Sequence, residues 1–260
     1  MIRIIDKDFD EFEEFENFCL LDSFGTRIYS HFLNYGYEYN FVDFWVQVND
    51  EKVTAALCRL DGDFIICLSD SSDFQEISSF LSFQNKVSVT FNSKYSDYVL
   101  ISYDECHSGD ILMYKENDIS VSSFDLIEPE LKQYHDLLLT CESDTFFVPG
   151  YFNFLSDVSR RLRKDMCTIY AVVCDDVLAS CAMTVSQTKN SVILGAVATN
   201  PDYRRRGFAQ CVVKNLAEHF KHLKSVYIYT TIEKNTRFYK GIGFEVCGNW
   251  TKYTYGGNFE

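Results

Sequence analysis

Proline is scarce in this 260-residue chain, which has three, at 129, 149 and 201. No Pro-rich linker marks a domain boundary, and no low-complexity tract or short-period repeat stands in for one. No apolar run approaches the ~18 residues that a membrane-spanning helix needs. The start, MIRIIDKDFDEFEEFENF, is acidic and lacks the basic start and apolar stretch of a signal peptide, so a cytoplasmic protein without a membrane partner is expected. Basic residues are outnumbered as well, 24 Lys+Arg against 38 Asp+Glu, a net charge of −14. Such a balance argues against nucleic acid as a partner, because phosphates need neutralising. Ten cysteines are present, yet no C-x-x-C pair is among them. They read as reduced, buried small hydrophobes, and no metal is expected. His219 and His222 stand three apart, and no ligand set is read around them.

The charge is unevenly distributed. Residues 1–130 hold 8 basic and 26 acidic side chains (−18), and residues 131–260 hold 16 and 12 (+4). An anionic ligand therefore suits the second half, and the first half would attract cations. Plain solubility is the competing account of the same charges.

Periodicity sets out an α+β chain. Phe9, Phe12, Phe15 and Phe18, followed by Leu21, predict a first helix. VTAALCRL and DFIICLS flank an Asp-Gly, a hairpin signal. SSDFQEISSFLSF predicts a capped helix. KVSVTFN, DYVLISYDE and DILMYKE predict strands. From residue 124 the pattern reads α-α-β-β-β-α-β-α-β-β, ending in FEVCGNW and TKYTY as a terminal strand pair. The expected division is an α+β half over 1–123 and a second domain over 124–260.

One stretch carries chemistry: Val197-Ala-Thr-Asn-Pro-Asp-Tyr-Arg-Arg-Arg-Gly-Phe-Ala-Gln210. It places a strand end, a turn and a helix start within fourteen residues. A helix N-terminus offers unpaired N–H groups and the positive end of the backbone dipole, which together favour an anion. Gly207 lets the backbone approach a phosphate, and Ala209 adds little bulk. Arg204, Arg205 and Arg206 supply charge, although not all three can face one ligand. A basic surface turn before an ordinary helix is the other reading of the six residues alone. No Gly-Lys-Ser/Thr follows, so this is not a P-loop, and the Gly241-x-Gly243 pair lacks the third glycine of a dinucleotide fingerprint.

Arg204-x-x-Gly207-x-Ala209 resembles the R/Q-x-x-G-x-G/A acyl-CoA signature of the GNAT superfamily of N-acetyltransferases. Tyr239-Lys-Gly-Ile-Gly-Phe244 resembles the family's later Tyr and Gly-Phe, and Asn235 an Asn that contacts the CoA arm. The resemblance covers roughly 155–250. It implies a C-terminal GNAT fold, a mixed, mostly antiparallel sheet flanked by helices, and the first half hints at a degenerate GNAT-like duplicate. It also implies acetyl-CoA as acyl donor. Val197, Ala198 and Thr199 would line the pantetheine arm, and Arg204, Arg205, Arg206, Gly207, Phe208, Ala209, Gln210 and Asn235 the rest of CoA. A backbone N–H near Val197 would polarise the thioester carbonyl. Tyr239 would protonate the leaving thiolate. The predicted strands SVILGAVAT and SVYIYTT hold no carboxylate, so no base is assigned; Glu233 is the nearest acidic candidate. The expected activity is direct acetyl transfer to a primary amine of a small molecule or peptide, with a cationic acceptor favoured by the acidic first half. A non-catalytic acyl-CoA-binding or sensor module is the alternative.

Overall fold

Strands buried on both faces form the core, as expected of sheets covered by helices on either side. The computed structural model describes residues 1–143, 146–223 and 225–256. The described residues divide into two compact units: those of 1–111 with 247–256, and those of 112–246.

The first unit contains β1 (Ile2–Ile4), α1 (Phe12–Cys19), α2 (Ser23–Tyr35), β2 (Val42–Asn49), β3 (Lys52–Leu60), β4 (Asp63–Leu68), α3 (Phe74–Ser82) and β5 (Ser88–Asn92). Strands β1 to β4 pair antiparallel in sequence order, with the expected two-residue Asp61-Gly62 turn between Leu60 and Asp63. Strands β4 and β5 then pair parallel. Alternation along β3 separates two cores: Ala55 and Leu57 pack with Ile77 and Leu81 of α3, and Cys58 lies buried beside α1 and α2 residues including Cys19. Chain order then brings β6 (Glu105–Tyr114), which passes from the first unit into the second at residue 111.

The second unit holds α4 (Leu131–Leu139), α5 (Tyr151–Arg163), β7 (Ile169–Cys174), β8 (Val177–Gln187), β9 (Ser191–Thr199), α6 (Phe208–His219), β10 (Ser225–Thr230) and α7 (Glu233–Lys240). Strand order here is β6-β10-β9-β8-β7, antiparallel from β7 to β9 and parallel between β9 and β10. Two cores again flank the sheet. Tyr134, Phe154 and Val158 of α4 and α5 pack on Ala171, Cys181 and Ala198. Phe208, Val212 and Leu216 of α6 and its C-cap Phe220, spaced four residues apart, pack on Val172, Leu194 and Phe244. The last strand, β11 (Phe244–Thr254), returns the chain to the first unit.

Several expectations change. The first helix starts at Phe12, because Phe9 is held in a turn by its N–H to the Asp6 carbonyl (3.2 Å), and Leu21 beyond the helix is exposed. Helix α2, which periodicity did not predict, is capped by the Asp22 carboxylate accepting from the Gly25 N–H (2.8 Å). DYVLISYDE is mostly irregular: the Tyr95 carbonyl takes the N–H groups of both Tyr98 and Val99, which ends extension there. The terminal pair is a single strand, since Trp250–Thr254 continue the run from Phe244 and pair in register with β5. Cys106 and Cys247 are exposed rather than buried, and all ten cysteines are free.

Compactness divides the chain at 111/112 and 246/247, whereas the order of predicted elements suggested 123/124. Leu112 and Tyr114, ahead of the expected boundary, are buried members of the second unit's core. A fragment 124–260 therefore loses a buried Leu and a buried Tyr. Truncating such side chains costs about 2–5 kcal/mol each, comparable with the ~5–15 kcal/mol stability of a whole domain. Circular dichroism of that fragment should show no cooperative melt; a melt close to that of the full chain would refute this packing.

Candidate functional site

The expected residues meet where β9 and β10 part. Their parallel pairing runs from Ser191/Ser225 to Leu194/Ile228 and stops. On its other side β9 carries a bulge: Cys181 pairs with Ala198, but Met183 pairs with Gly195, so Ala196 and Val197 have no register partner on β8. Ala196 sits at φ 48°, in the left-handed region that an L side chain enters at a cost of ~1–2 kcal/mol. A bulge re-aims backbone groups that a regular ladder would consume.

Beyond the strand, Asn200 turns the chain: its side chain accepts from the Asp202 N–H (3.1 Å) and its carbonyl from the Tyr203 N–H (2.9 Å). Arg205 (φ 66°) and Gly207 (φ 88°) both take left-handed conformations, and Gly207 caps α6. A Cβ at Gly207 would come within 3.3 Å of Ser122 Oγ, so conformation and space both favour glycine there. The Gly207 carbonyl accepts from the Cys211 N–H (3.0 Å), the first bond of the helix. The N–H groups of Phe208, Ala209 and Gln210 lie in the first turn, where a helix has no acceptors of its own to give.

Strand ends, turn and helix start wall a cleft of about 1430 Å³ within the second unit. Of the expected residues, Val197, Thr199, Arg204, Arg205, Gly207, Phe208, Ala209, Gln210, Asn235 and Tyr239 line it. Ala198 and Arg206 do not. Ala198 pairs with Cys181, is buried on the α4/α5 side, and its carbonyl accepts from Ser180 Oγ (2.9 Å). Arg206 donates to the Asp202 carbonyl (3.2 Å) and its guanidinium stacks 5.0 Å from the Tyr203 ring centroid. Arg204 is held differently, with Nε donating to the Thr199 carbonyl (3.2 Å).

Tyr239 reaches the cleft wall from α7, and its ring packs against Phe238 and Phe244 at 5.1 and 5.9 Å. Burial pushes its hydroxyl well above the usual tyrosine range, which keeps it protonated and able to donate. Glu233, the nearest acidic candidate in the sequence, does not line the cleft. Its side chain is 84% exposed and faces Arg237 Nε at 3.8 Å on the helix surface.

Sequence reading missed the far wall, which comes from the segment after α4. Cys141, Glu142 and Phe146 line the cleft. Cys141 Sγ donates to the Thr199 carbonyl (3.4 Å), and Glu142 Oε1 accepts from the Val148 N–H (3.2 Å). Neither residue lies in a recognisable motif, so no local signal marked them.

The first unit repeats the strand geometry without the chemistry. The parallel pairing of β4 with β5 also stops early, at Ile65/Thr90. The strand ends beyond it are bridged by Tyr95, whose hydroxyl donates to the Leu68 carbonyl (3.2 Å) and Asp70 Oδ1 (3.0 Å). Lys94 Nζ adds an ion pair to Asp70 at 3.1 Å. The following helix, α3, is capped by the Asp73 carboxylate, which accepts from the Glu76 N–H (2.9 Å). A helix start occupied by a carboxylate repels an anion.

Comparison with known proteins agrees with the geometry. Residues 170–254 match the FR47-like protein family. No curated protein matches the chain. Among solved structures, an acetyltransferase of the GNAT family from Colwellia psychrerythraea is similar (TM-score 0.62, 12% identity), covering 98% of this chain and 99% of its own. A tandem GNAT protein from the clavulanic acid biosynthesis pathway gives a TM-score of 0.65 at 10% identity, covering 98% and 97%. A Drosophila protein gives 0.66 at 11%, covering 98% and 99%. At these identities the likeness is one of fold, and it extends through both units.

Proposed function

We propose that this chain is a member of the GNAT superfamily, an acyl-CoA-dependent acyltransferase that uses acetyl-CoA and acylates a primary amine. The family's fold supports acyl transfer as the reaction class. The observation that carries the reading is the cleft between the bulged end of β9 and the left-handed Gly207 at the start of α6. The pyrophosphate would rest on the N–H groups of Phe208, Ala209 and Gln210, with Arg204 and Arg205 adding charge. The residues present fit that group, since Gly207 caps α6 at φ 88° with no side chain to occupy the N–H groups of the first turn.

Direct attack by the amine needs no nucleophilic side chain. The chain's task is to hold thioester and amine together, to stabilise charge on the thioester oxygen, and to return a proton to sulfur. The Val197 N–H serves the oxygen; as the C–N bond forms and the C–S bond breaks, Tyr239 protonates the sulfur, and the proton that the amine nitrogen sheds passes to solvent, from which the Tyr239 hydroxyl is restored. Tyr239 stays protonated beyond the ordinary tyrosine pKa of about 10, so it imposes no basic limb on a rate profile below that pH. The acceptor is a small-molecule or peptide amine, and the −18 of residues 1–130 favours a cationic one. The division of labour proposed is donor binding in the second unit, with the first a related half that has lost its donor site to Tyr95, Asp70 and the Asp73 cap.

That division predicts one acetyl-CoA per chain. Calorimetric titration should give a stoichiometry of one, with a single class of site. A second site, or binding that survives disruption of the α6 start, would contradict it.

A further inference from the structure

Tyr134 has no place in the mechanism above, yet it is one of the largest fully buried side chains. It stands on α4 and its hydroxyl donates to the Ala196 carbonyl at 2.7 Å, across 62 residues of chain. Ala196 is the left-handed residue of the β9 bulge, and neither β8 nor β10 gives Ala196 or Val197 a register partner. The peptide between them is thus held less by the sheet than its neighbours are. In a trans peptide the carbonyl and the following N–H point in opposite directions. Among the described residues no peptide is cis. A carbonyl drawn toward Tyr134, in the α4/α5 core, turns the N–H of the same peptide away from that core.

The geometry points to Tyr134 as a positioning residue: by fixing the Ala196 carbonyl it aims the Val197 N–H into the cleft, at the thioester oxygen. This rests on the acyl-CoA reading and goes beyond it, because it assigns the orientation of the oxyanion donor to a residue that touches no substrate. Burial raises the tyrosine hydroxyl well above its usual range, so it remains a donor at any working pH. Without it, the Ala196 carbonyl loses its buried partner and the left-handed turn loses an interaction that offsets its strain.

The test is Tyr134→Phe in the full chain, with acetyl-CoA labelled by ¹³C at the thioester carbonyl as probe. Isotope-edited infrared spectroscopy reads the polarisation of that carbonyl directly and needs no knowledge of the acceptor. Wild type should bind the probe and lower its stretching frequency. Tyr134→Phe should bind within about threefold of wild type, with the frequency returned toward that of free acetyl-CoA. With any amine that supports turnover, kcat should fall roughly tenfold while KM for acetyl-CoA holds; losing one oxyanion donor outright costs about 10²–10³ in kcat. A merely structural tyrosine would alter stability and leave the bound frequency unchanged, and that result overturns the proposal. Failure of wild type to bind the probe would instead sink the acyl-CoA reading, and the proposal with it.

Should the Phe variant not fold, the wild-type chain still decides. Labelling alanine carbonyls with ¹³C and valine amides with ¹⁵N leaves two Ala-Val peptides visible, Ala171-Val172 and Ala196-Val197. The Val197 amide should move with acetyl-CoA and much less with S-ethyl-CoA, which lacks the carbonyl. Equal movement with both would overturn the proposal.

Discussion

Gly207→Glu should abolish acetyl-CoA binding while leaving the chain folded. The substitution acts in three ways at once. It forces an L residue to φ 88°, at ~1–2 kcal/mol, and sets a Cβ within 3.3 Å of Ser122 Oγ. It also adds a carboxylate at the helix start that would hold the pyrophosphate. Two unit charges 4 Å apart at an effective dielectric of 20 repel by about 4 kcal/mol, close to three decades of affinity. The strain alone is small beside the ~5–15 kcal/mol of an ordinary domain, so the fold should survive. Gly207→Ala shares the strain without the charge and should lose much less affinity. Calorimetry on both variants, with a melting curve for each, separates the effects. Unchanged affinity in a folded Glu variant would remove the pyrophosphate from this helix start.

Tyr239→Phe should lower turnover roughly a hundredfold. The ring and its contacts with Phe238 and Phe244 remain, and only the hydroxyl is deleted. General acids contribute about 10²–10⁴-fold, and the low end applies because a thiolate leaves tolerably well unprotonated. A hundredfold corresponds to about 2.7 kcal/mol of barrier. Acetyl-CoA affinity should hardly change, because the hydroxyl interacts mainly as charge develops on sulfur. Near-wild-type turnover at saturating substrates, with chemistry shown to limit the rate, would return Tyr239 to a packing role.

Both predictions concern residues visible in the sequence, and that is no coincidence. The donor side of the cleft is built from one continuous segment, a strand end, a turn and a helix start. Local rules cover it: Asn200 and Pro201 for the turn, Gly207 for the left-handed cap, an i,i+4 apolar row for α6. The Tyr239 helix was readable for the same reason. What escaped was non-local. Tyr134 and Cys141 meet β9 only through tertiary packing, and nothing in their own sequence neighbourhood marks them.

The bulge was hidden differently. Ala196 carries the left-handed conformation with no glycine or asparagine to announce it, because tertiary contacts override local preference. Helix α2 was missed through the opposite effect. Gly25 looks like a helix breaker, yet a Cβ there would come within 2.1 Å of the Cys19 carbonyl oxygen. It is present for close approach of two chain segments, which a propensity scale cannot see. The boundary between the halves moved for a related reason. The pattern of predicted elements changes near residue 124, but Leu112 and Tyr114 are buried in the core of the second unit.

Catalysis is the central claim, and release of free CoA thiol from acetyl-CoA tests it most directly. The full chain is mixed with saturating acetyl-CoA and a panel of primary amines that includes a polyamine, an aminoglycoside and a Lys-rich peptide. The account predicts that at least one amine accelerates thiol release well above the rate in its absence, and that Gly207→Glu eliminates the acceleration. Acetyl-CoA bound at one site per chain, with thiol release no faster for any amine than without protein, would contradict it and favour a non-catalytic acyl-CoA-binding module.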